Sequence, residues 1–444
     1  MLKFSCLRSL IYYAIMLVTI LIRISAKNVV SRIPSILKID FTEIHTTNDR
    51  VKCYCVSDLH ADTEKNQEWV RENCVRKVED IDVFTVMILP GDIGSEIDRL
   101  ESVFSTLTAS YDAVVYVPGN HEAWRRGIAA GGSATAPAER AENRMATDSV
   151  AKLLEVMEKA KEAGVFVGPV RIQIDKPDEV HLSEAIKSGY DVGLQKDSSS
   201  STNLEAAETS VEALKQLTTN QGLVIFPLFS WYHSGWDTEA ELTHPDVLDV
   251  EIAMPFTRKW GDFSMCSWPE EMISHSDFCS TSNDNTVLAE AFAAINEPFL
   301  SPPNIELLDE SDQASDQQLS ESVRINNTYE QIDKEGKTNL HQMRSPIIQK
   351  NDTVISFSHF LPRQELCPEK RFLLEPFLTR VIGSNFLESQ IRRLKPDVHL
   401  FGHTHIPIDL ELEGIRYVQW PKGYSRLKTT DLKINVLNFM FSDI

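Results

Sequence analysis

The chain has no surplus of positive charge: 65 acidic residues stand against 44 lysines and arginines, a formal net charge of −21. A nucleic-acid groove needs local positive potential to displace counterions from phosphates, so this balance argues against one. The figure is an average, because much of the acid lies in one polar stretch. No apolar run reaches the roughly 20 residues that cross a bilayer comfortably. No internal repeat is apparent, which sets aside a repeat array. Cysteine is sparse at seven, and without Cys6 six remain, which permits three bridges and implies none. Cys53 and Cys55 alternate along an apolar stretch and read as small core residues.

Acid is missing altogether before Asp40. Within that segment Lys3 and Arg8 precede an apolar run from Leu10 to Ile22, followed by Arg23 and Ser25-Ala26. The run is apolar on all sides, unlike a core helix, and its length suits a secretory signal. Ile24 sits where a small residue is usual before cleavage, and the absence of acid also suits an organellar presequence. Residues 1–26 are therefore expected to be a signal or targeting segment, leading to the secretory pathway or an organelle lumen. An uncleaved N-terminal membrane anchor is the alternative. Asn326-Asn327-Thr328 and Asn351-Asp352-Thr353 are glycosylation sequons that matter only in a lumen.

What the chain does have is ordinary globular material, 42% hydrophobic and 25% charged, enough for one large domain with insertions or two smaller ones. Val51 to Val56 reads as a strand ending in Ser57-Asp58-Leu59-His60, and Glu64 to Lys77 as an amphipathic helix. A second strand, Val83 to Leu89, runs into Pro90-Gly91-Asp92, and a third, Ala113 to Val117, into Pro118-Gly119-Asn120-His121-Glu122. Ala146 to Ala163 is helical in period. Gly222 to Phe229 is a buried-type strand leading into Trp231, Tyr232, His233 and Trp236, a loop that either walls a pocket or packs on the core. Thr353 to Phe357 ends in Ser358-His359, and a helix capped by Ser384 precedes the apolar run that ends in Gly402-His403-Thr404-His405. Ile415 to Trp420 and Ile434 to Phe439 are closing strands. Residues 127–145, 190–215 and 301–350 read as insertions, the last long, polar and partly disordered. Strands alternating with helices indicate an α/β fold with its chemistry at strand ends.

One strand ending in an aspartate or histidine means little; several in succession are hard to explain as turns alone. In order, Asp58 and His60, Asp92, Asn120 with His121, His359, then His403 and His405 resemble the calcineurin-like metallophosphoesterase superfamily in discontinuous blocks from Val51 to His405. The stretches around Trp231 to Asp237 and Asp262 to Trp268 resemble a plant- and algal-type branch of it, which brings no substrate. The resemblance implies a four-layer sandwich of two β-sheets flanked by helices, spanning residues 50–444. It implies two divalent or trivalent metal ions, one held by Asp58, His60, Asp92 and His405, the other by Asp92, Asn120, His359 and His403, with Asp92 bridging. Mixed nitrogen and oxygen donors suit Mn, Fe or Zn. Two ions sharing a carboxylate deprotonate a water to hydroxide aimed at phosphorus.

His121 is assigned to the leaving-group side, and Glu122 either orients His121 or is a solvated turn carboxylate. His233 is the alternative to His359, since it too follows a strand; His399 reads as a core histidine. Ser95 stands where many members place a second aspartate, which weakens the analogy to protein phosphatases. The expected activity is hydrolysis of a phosphoester, on a small molecule rather than nucleic acid, with the membrane involved only through the N-terminal segment. A nuclease or phosphodiesterase, and a scaffold that kept the fold without catalysis, are the competing readings.

Overall fold

The computed structural model describes residues 39–125 (without 49, 77–79 and 81), 146–174, 222–242, 256–269, 272, 285–300, 345–423 and 435–440. The N-terminal segment, the first two expected insertions and most of the third lie outside these residues, as does Asn326. Among the described residues no helix is long and apolar enough to cross a membrane.

Runs rich in Val, Ile and aromatics form the strands β1 (Thr42–Thr46), β2 (Arg50–Cys55), β3 (Phe84–Pro90), β4 (Ala113–Val117), β5 (Val170–Ile174) and β6 (Gly222–Pro227). They continue with β7 (Thr353–Phe357), β8 (Val398–Phe401), β9 (Ile408–Leu412), β10 (Ile415–Gln419) and β11 (Asn435–Met440). The larger sheet has the order β1-β5-β6-β7-β8-β10-β9, and the smaller β11-β2-β3-β4. β6, β7, β8 and β10 run parallel, as do β2, β3 and β4, while β9 and β11 are antiparallel edges. The sheet thus begins at Thr42, ahead of the expected start at residue 50, because β1 pairs in parallel with β5.

Side-chain alternation decides how the layers stack. In β6, Leu223 and Ile225 join the main core shared with the small sheet, whereas Val224 and Phe226 face a second cluster. That second cluster contains Leu387, Ile391 and Leu394 of one helix and Leu300 of another, so helices cover the outer face of the large sheet. The helices are α1 (Glu64–Asn73), α2 (Ile97–Thr108), α3 (Ser149–Glu162), α4 (Thr286–Leu300) and α5 (Asn385–Leu394). α1, α2 and α3 put Val70, Leu100, Phe104, Leu153 and Met157 into the core of the small sheet. The result is a mixed α/β protein with a large, mostly parallel sheet and flanking helices.

Of the two readings of the loop after β6, packing on the core holds: Trp231, Tyr232 and Trp236 are 2% exposed or less. Two local expectations are corrected. Ser384 stands at the N-cap of α5 without a side-chain capping bond. The end of the expected 301–350 insertion is ordered, with Ser345 buried and its hydroxyl donating to the Phe299 carbonyl. The described cysteines, Cys53, Cys55, Cys74, Cys266 and Cys367, are all free thiols. Asn351 is exposed at the start of β7, while its neighbour Asp352 is buried in a two-bonded pair with Arg171 at 3.0 Å, tying β5 to β7.

Candidate metal centre

The C-terminal ends of β2, β3, β4, β7 and β8 converge, and backbone hydrogen bonds lace their loops together. Asp58 N donates to Gly91 O (3.1 Å), His60 N to Asp92 O (3.0 Å) and Gly402 N to His359 O (3.0 Å). The approach is close enough to demand glycine. A Cβ on Gly119 would lie 2.3 Å from Asp92 Oδ1, and one on Gly402 would lie 2.9 Å from Asp58 Oδ2. Among the described residues only seven non-glycines have positive φ, and five of them are Asp58 (54°), His60 (44°), Asp92 (54°), His403 (78°) and His405 (57°). Each such residue costs about 1–2 kcal/mol, so the backbone is bent against its preference where those side chains are aimed inward.

Three groups of side chains approach closely enough to hold ions: Asp58, His60 and His405; His60, Asp92 and His121; and Asp92, His359 and His403. His405 Nε2 is 3.0 Å from His60 Nε2 and 3.4 Å from Asp58 Oδ1. Asp92 sits between the two halves. Its Oδ1 is 3.4 Å from His359 Nε2, and its Oδ2 is 4.0 Å from His60 Nε2 and 3.8 Å from His121 Nε2. All but His405 are buried; the His405 side chain is partly open, at 17%.

Hydrogen bonding fixes which ring nitrogens are bare. A carbonyl oxygen only accepts, so His359 Nδ1–H donates to Pro90 O (2.9 Å) and His403 Nε2–H donates to Val381 O (3.0 Å). Burial holds both imidazoles below their usual pKa, hence neutral, and their remaining nitrogens carry lone pairs. Those nitrogens, His359 Nε2 and His403 Nδ1, are 3.0 Å apart, and Asn120 Oδ1 lies 3.0 and 3.1 Å from them. Asn120 is not free to turn its amide, because its Nδ2 donates to Asp262 Oδ1 (2.8 Å). Three lone pairs therefore face one another beside a carboxylate, an arrangement that repels itself unless a cation fills it. The donor set, nitrogen with carboxylate and amide oxygen, fits a transition-series divalent ion.

The remaining charges tell the same story. Burial, followed by the Glu122 and Asp58 carboxylates, pushes the Asp92 carboxyl well above its ordinary value. For Asp58 burial acts upward too, but the His405, His359 and His60 imidazoles together outweigh it and the carboxyl stays below the usual range. His60 is pushed down by burial and by neighbouring imidazoles, and burial takes His121 to about 3. The site is rich in electron-pair donors.

The structure brings Asp58, His60, Asp92, Asn120, His121, His359, His403 and His405 together and leaves His233 and His399 outside. His233 Nε2 accepts from Asn385 N (3.4 Å) at the start of α5. His399 lies between the Ser356 hydroxyl (2.8 Å) and the Ser358 hydroxyl (3.1 Å) as a core histidine. Glu122 is neither solvated nor hydrogen-bonded as expected. It is wholly buried, and its carboxylate accepts from the backbone N–H groups of Ile93 (2.7 Å), Gly119 (2.8 Å), Asp92 (3.1 Å) and Gly94 (3.4 Å). It braces the turns that carry Asp92 and Asn120. Position 95 is also bound up in this framework: Ser95 N and Glu96 N donate to Asp62 Oδ1 at 2.8 and 3.0 Å.

Two supporting residues escaped sequence reasoning. Gln419, with its amide turned to satisfy both ends, accepts from His405 N (2.9 Å) and Ile406 N (3.1 Å) and donates to Gly402 O (3.0 Å). Asp262 holds Asn120. A resemblance marked the stretch around Asp262, but only the fold reveals what that carboxylate touches.

The chain matches no family model and no curated protein. Among solved structures it is similar to a phosphopantetheinyl hydrolase from Mycobacterium tuberculosis, at 14% sequence identity, with 88% of this chain and 96% of that chain covered and a TM-score of 0.46.

Proposed function

We propose that this chain is a metal-dependent hydrolase of phosphoester bonds, of metallophosphoesterase type, working with two metal ions on a small phosphorylated molecule. The observation that carries the reading is the convergence of Asn120 Oδ1, His359 Nε2 and His403 Nδ1, all bare acceptors within 3.1 Å of one another. These three with Asp92 would hold one ion; Asp58, His60 and His405 with Asp92 would hold the other. Asp92 has the position for sharing, since each of its oxygens faces a different half. Bound ions would supply Lewis acidity toward a phosphoryl group and acidify a water.

The protein's own groups do the rest. His121 lies beside Asp92, its backbone N–H donating to Asp92 Oδ1 (3.0 Å) and its ring stacked on Trp124 at 3.7 Å. It is no part of either four-residue set, and its ring N–H is the group available to steady a departing oxygen. A net charge of −21 favours a small substrate over a polyanion.

The test is elemental analysis of the purified chain together with assays on p-nitrophenyl phosphate and its bis ester. Two ions per chain and hydrolysis of the monoester are expected. Faster cleavage of the bis ester would make it a phosphodiesterase. Two bound ions without turnover would favour the scaffold, and a chain that takes up no metal would end the reading.

A further inference from the structure

The carboxylate of Asp262 is buried and surrounded by donors that belong to the site's own lining. Its Oδ1 accepts from Asn120 Nδ2 (2.8 Å) and Trp124 Nε1 (2.7 Å), and its Oδ2 from Trp260 Nε1 (2.8 Å); the Tyr232 hydroxyl is also hydrogen-bonded to it. Each of the first three partners in turn touches the centre. Asn120 presents its oxygen to His359 and His403. Trp124 stacks on His121, and the edge of Trp260 meets His403 with ring centroids 5.8 Å apart. A helical turn, Asp262–Met265, pins the carboxylate, and the preceding Gly261 lets it close on Trp124, where a Cβ would lie 2.8 Å from Cζ2.

We infer that Asp262 is the positioning residue of this centre: by accepting from Asn120 and Trp124 together, it fixes the amide oxygen of a metal ligand and the ring that backs His121. This rests on the two-ion reading and adds to it. An unheld asparagine amide can present either its oxygen, which binds a cation, or its NH2, which does not. Asp262 removes the second option: the NH2 finds an acceptor in the carboxylate, whereas a turned amide would set its oxygen against a carboxylate that has no donor to offer it. The buried carboxylate is satisfied by these donors, so structure and alignment are maintained by the same bonds. Supporting partners of this kind change metal affinity by roughly 10–100-fold when removed.

The experiment is a metal titration of the metal-stripped full chain, with manganese or zinc, reading both binding equivalents by calorimetry and following the fold by near-ultraviolet circular dichroism. Asp262→Asn is expected to keep the first equivalent and weaken the second by roughly 10–100-fold, since its NH2 can now face that of Asn120. Asp80→Asn serves as a control for losing a buried carboxylate elsewhere, because Asp80 accepts from Tyr54 and Lys52 instead, and it should keep both equivalents. The paired variant Asn120→Asp with Asp262→Asn reverses the donor and acceptor of the bond while keeping an oxygen for the metal, and it should recover part of the lost affinity.

A merely structural role for Asp262 gives no such recovery. The inference fails if Asp262→Asn binds both ions as tightly as the native chain, or if the paired variant is no better than the single one. Should Asp262→Asn not fold, the paired variant decides alone: a second equivalent bound supports the inference, and none overturns it. A native chain that binds fewer than two ions takes away the two-ion reading and this inference with it, which separates the two failures.

Discussion

His359 and His399 come from neighbouring parallel strands, and both are wholly buried. Burial depresses both pKa values, His399 to about 3. Their surroundings nevertheless differ in kind. Both nitrogens of His399 meet serine hydroxyls, groups that can donate or accept as required. His359 spends its one N–H on the Pro90 carbonyl, and its other nitrogen faces an amide oxygen, a carboxylate oxygen and a second bare imidazole nitrogen. His233 lies on the His399 side of this division, accepting a backbone N–H. What separates the two kinds of histidine here is therefore the chemistry of their partners, and neither burial nor a place after a strand distinguishes them.

The division is sharpest at Asp92, whose two oxygens face different halves. Asp92→Asn removes the shared charge, and metal content should fall from two per chain toward none with turnover at background. Elemental analysis showing both ions retained would remove its bridging role. Next come the histidines that define the comparison. His359→Ala should lose one ion per chain, whereas His233→Ala should retain both and lose only about 1 kcal/mol from the start of α5. The reverse result would exchange their places. His121→Ala should leave both ions bound and slow turnover by about 10²–10⁴-fold. Equal turnover would take His121 out of the chemistry.

How far the sequence reached depended on whether the relevant contacts were local. A strand followed by an aspartate, asparagine or histidine, with glycine before it after β3, β4 and β8 and serine before it after β2 and β7, is a local pattern, so these five strands and the residues at their ends could be read directly. Glycine at 91, 119 and 402 was legible as turn chemistry, although the reason for it at 119, the Asp92 carboxylate in the space of its absent side chain, was not. The partners of Glu122 are backbone amides, which leave no mark in a sequence, so its bracing role was mistaken for one directed at His121 or at solvent. Asp262 meets Asn120 across 142 positions and Arg171 meets Asp352 across 181, pairings that no period or spacing encodes. β1 and β5 were missed for the same reason. Each is five residues long, and neither makes sense as a strand without the other.

The smallest effect tests the other side of the comparison, where a buried histidine lies between serine hydroxyls. His399 is neutral in the folded chain down to about pH 3, while in the unfolded chain it takes up a proton near its ordinary pKa of 6.5. Between those values the unfolded state binds more protons, so stability from this residue is present above 6.5 and is lost as pH falls toward 3. The loss is about 1.4 kcal/mol per pH unit at most. Other buried imidazoles share this behaviour without metal, but ions bound to them compete with protons, so the sites respond differently to added metal. In denaturant melts from pH 7 to 5, His399→Gln should flatten the acid limb by up to that slope, with both ions still bound at neutral pH. Added manganese should shift the melts of native and variant chains alike, leaving the difference between them unchanged. A difference that closed when metal was added would mean that His399 belongs to the centre after all, and that two serine hydroxyls are not enough to mark a histidine as core.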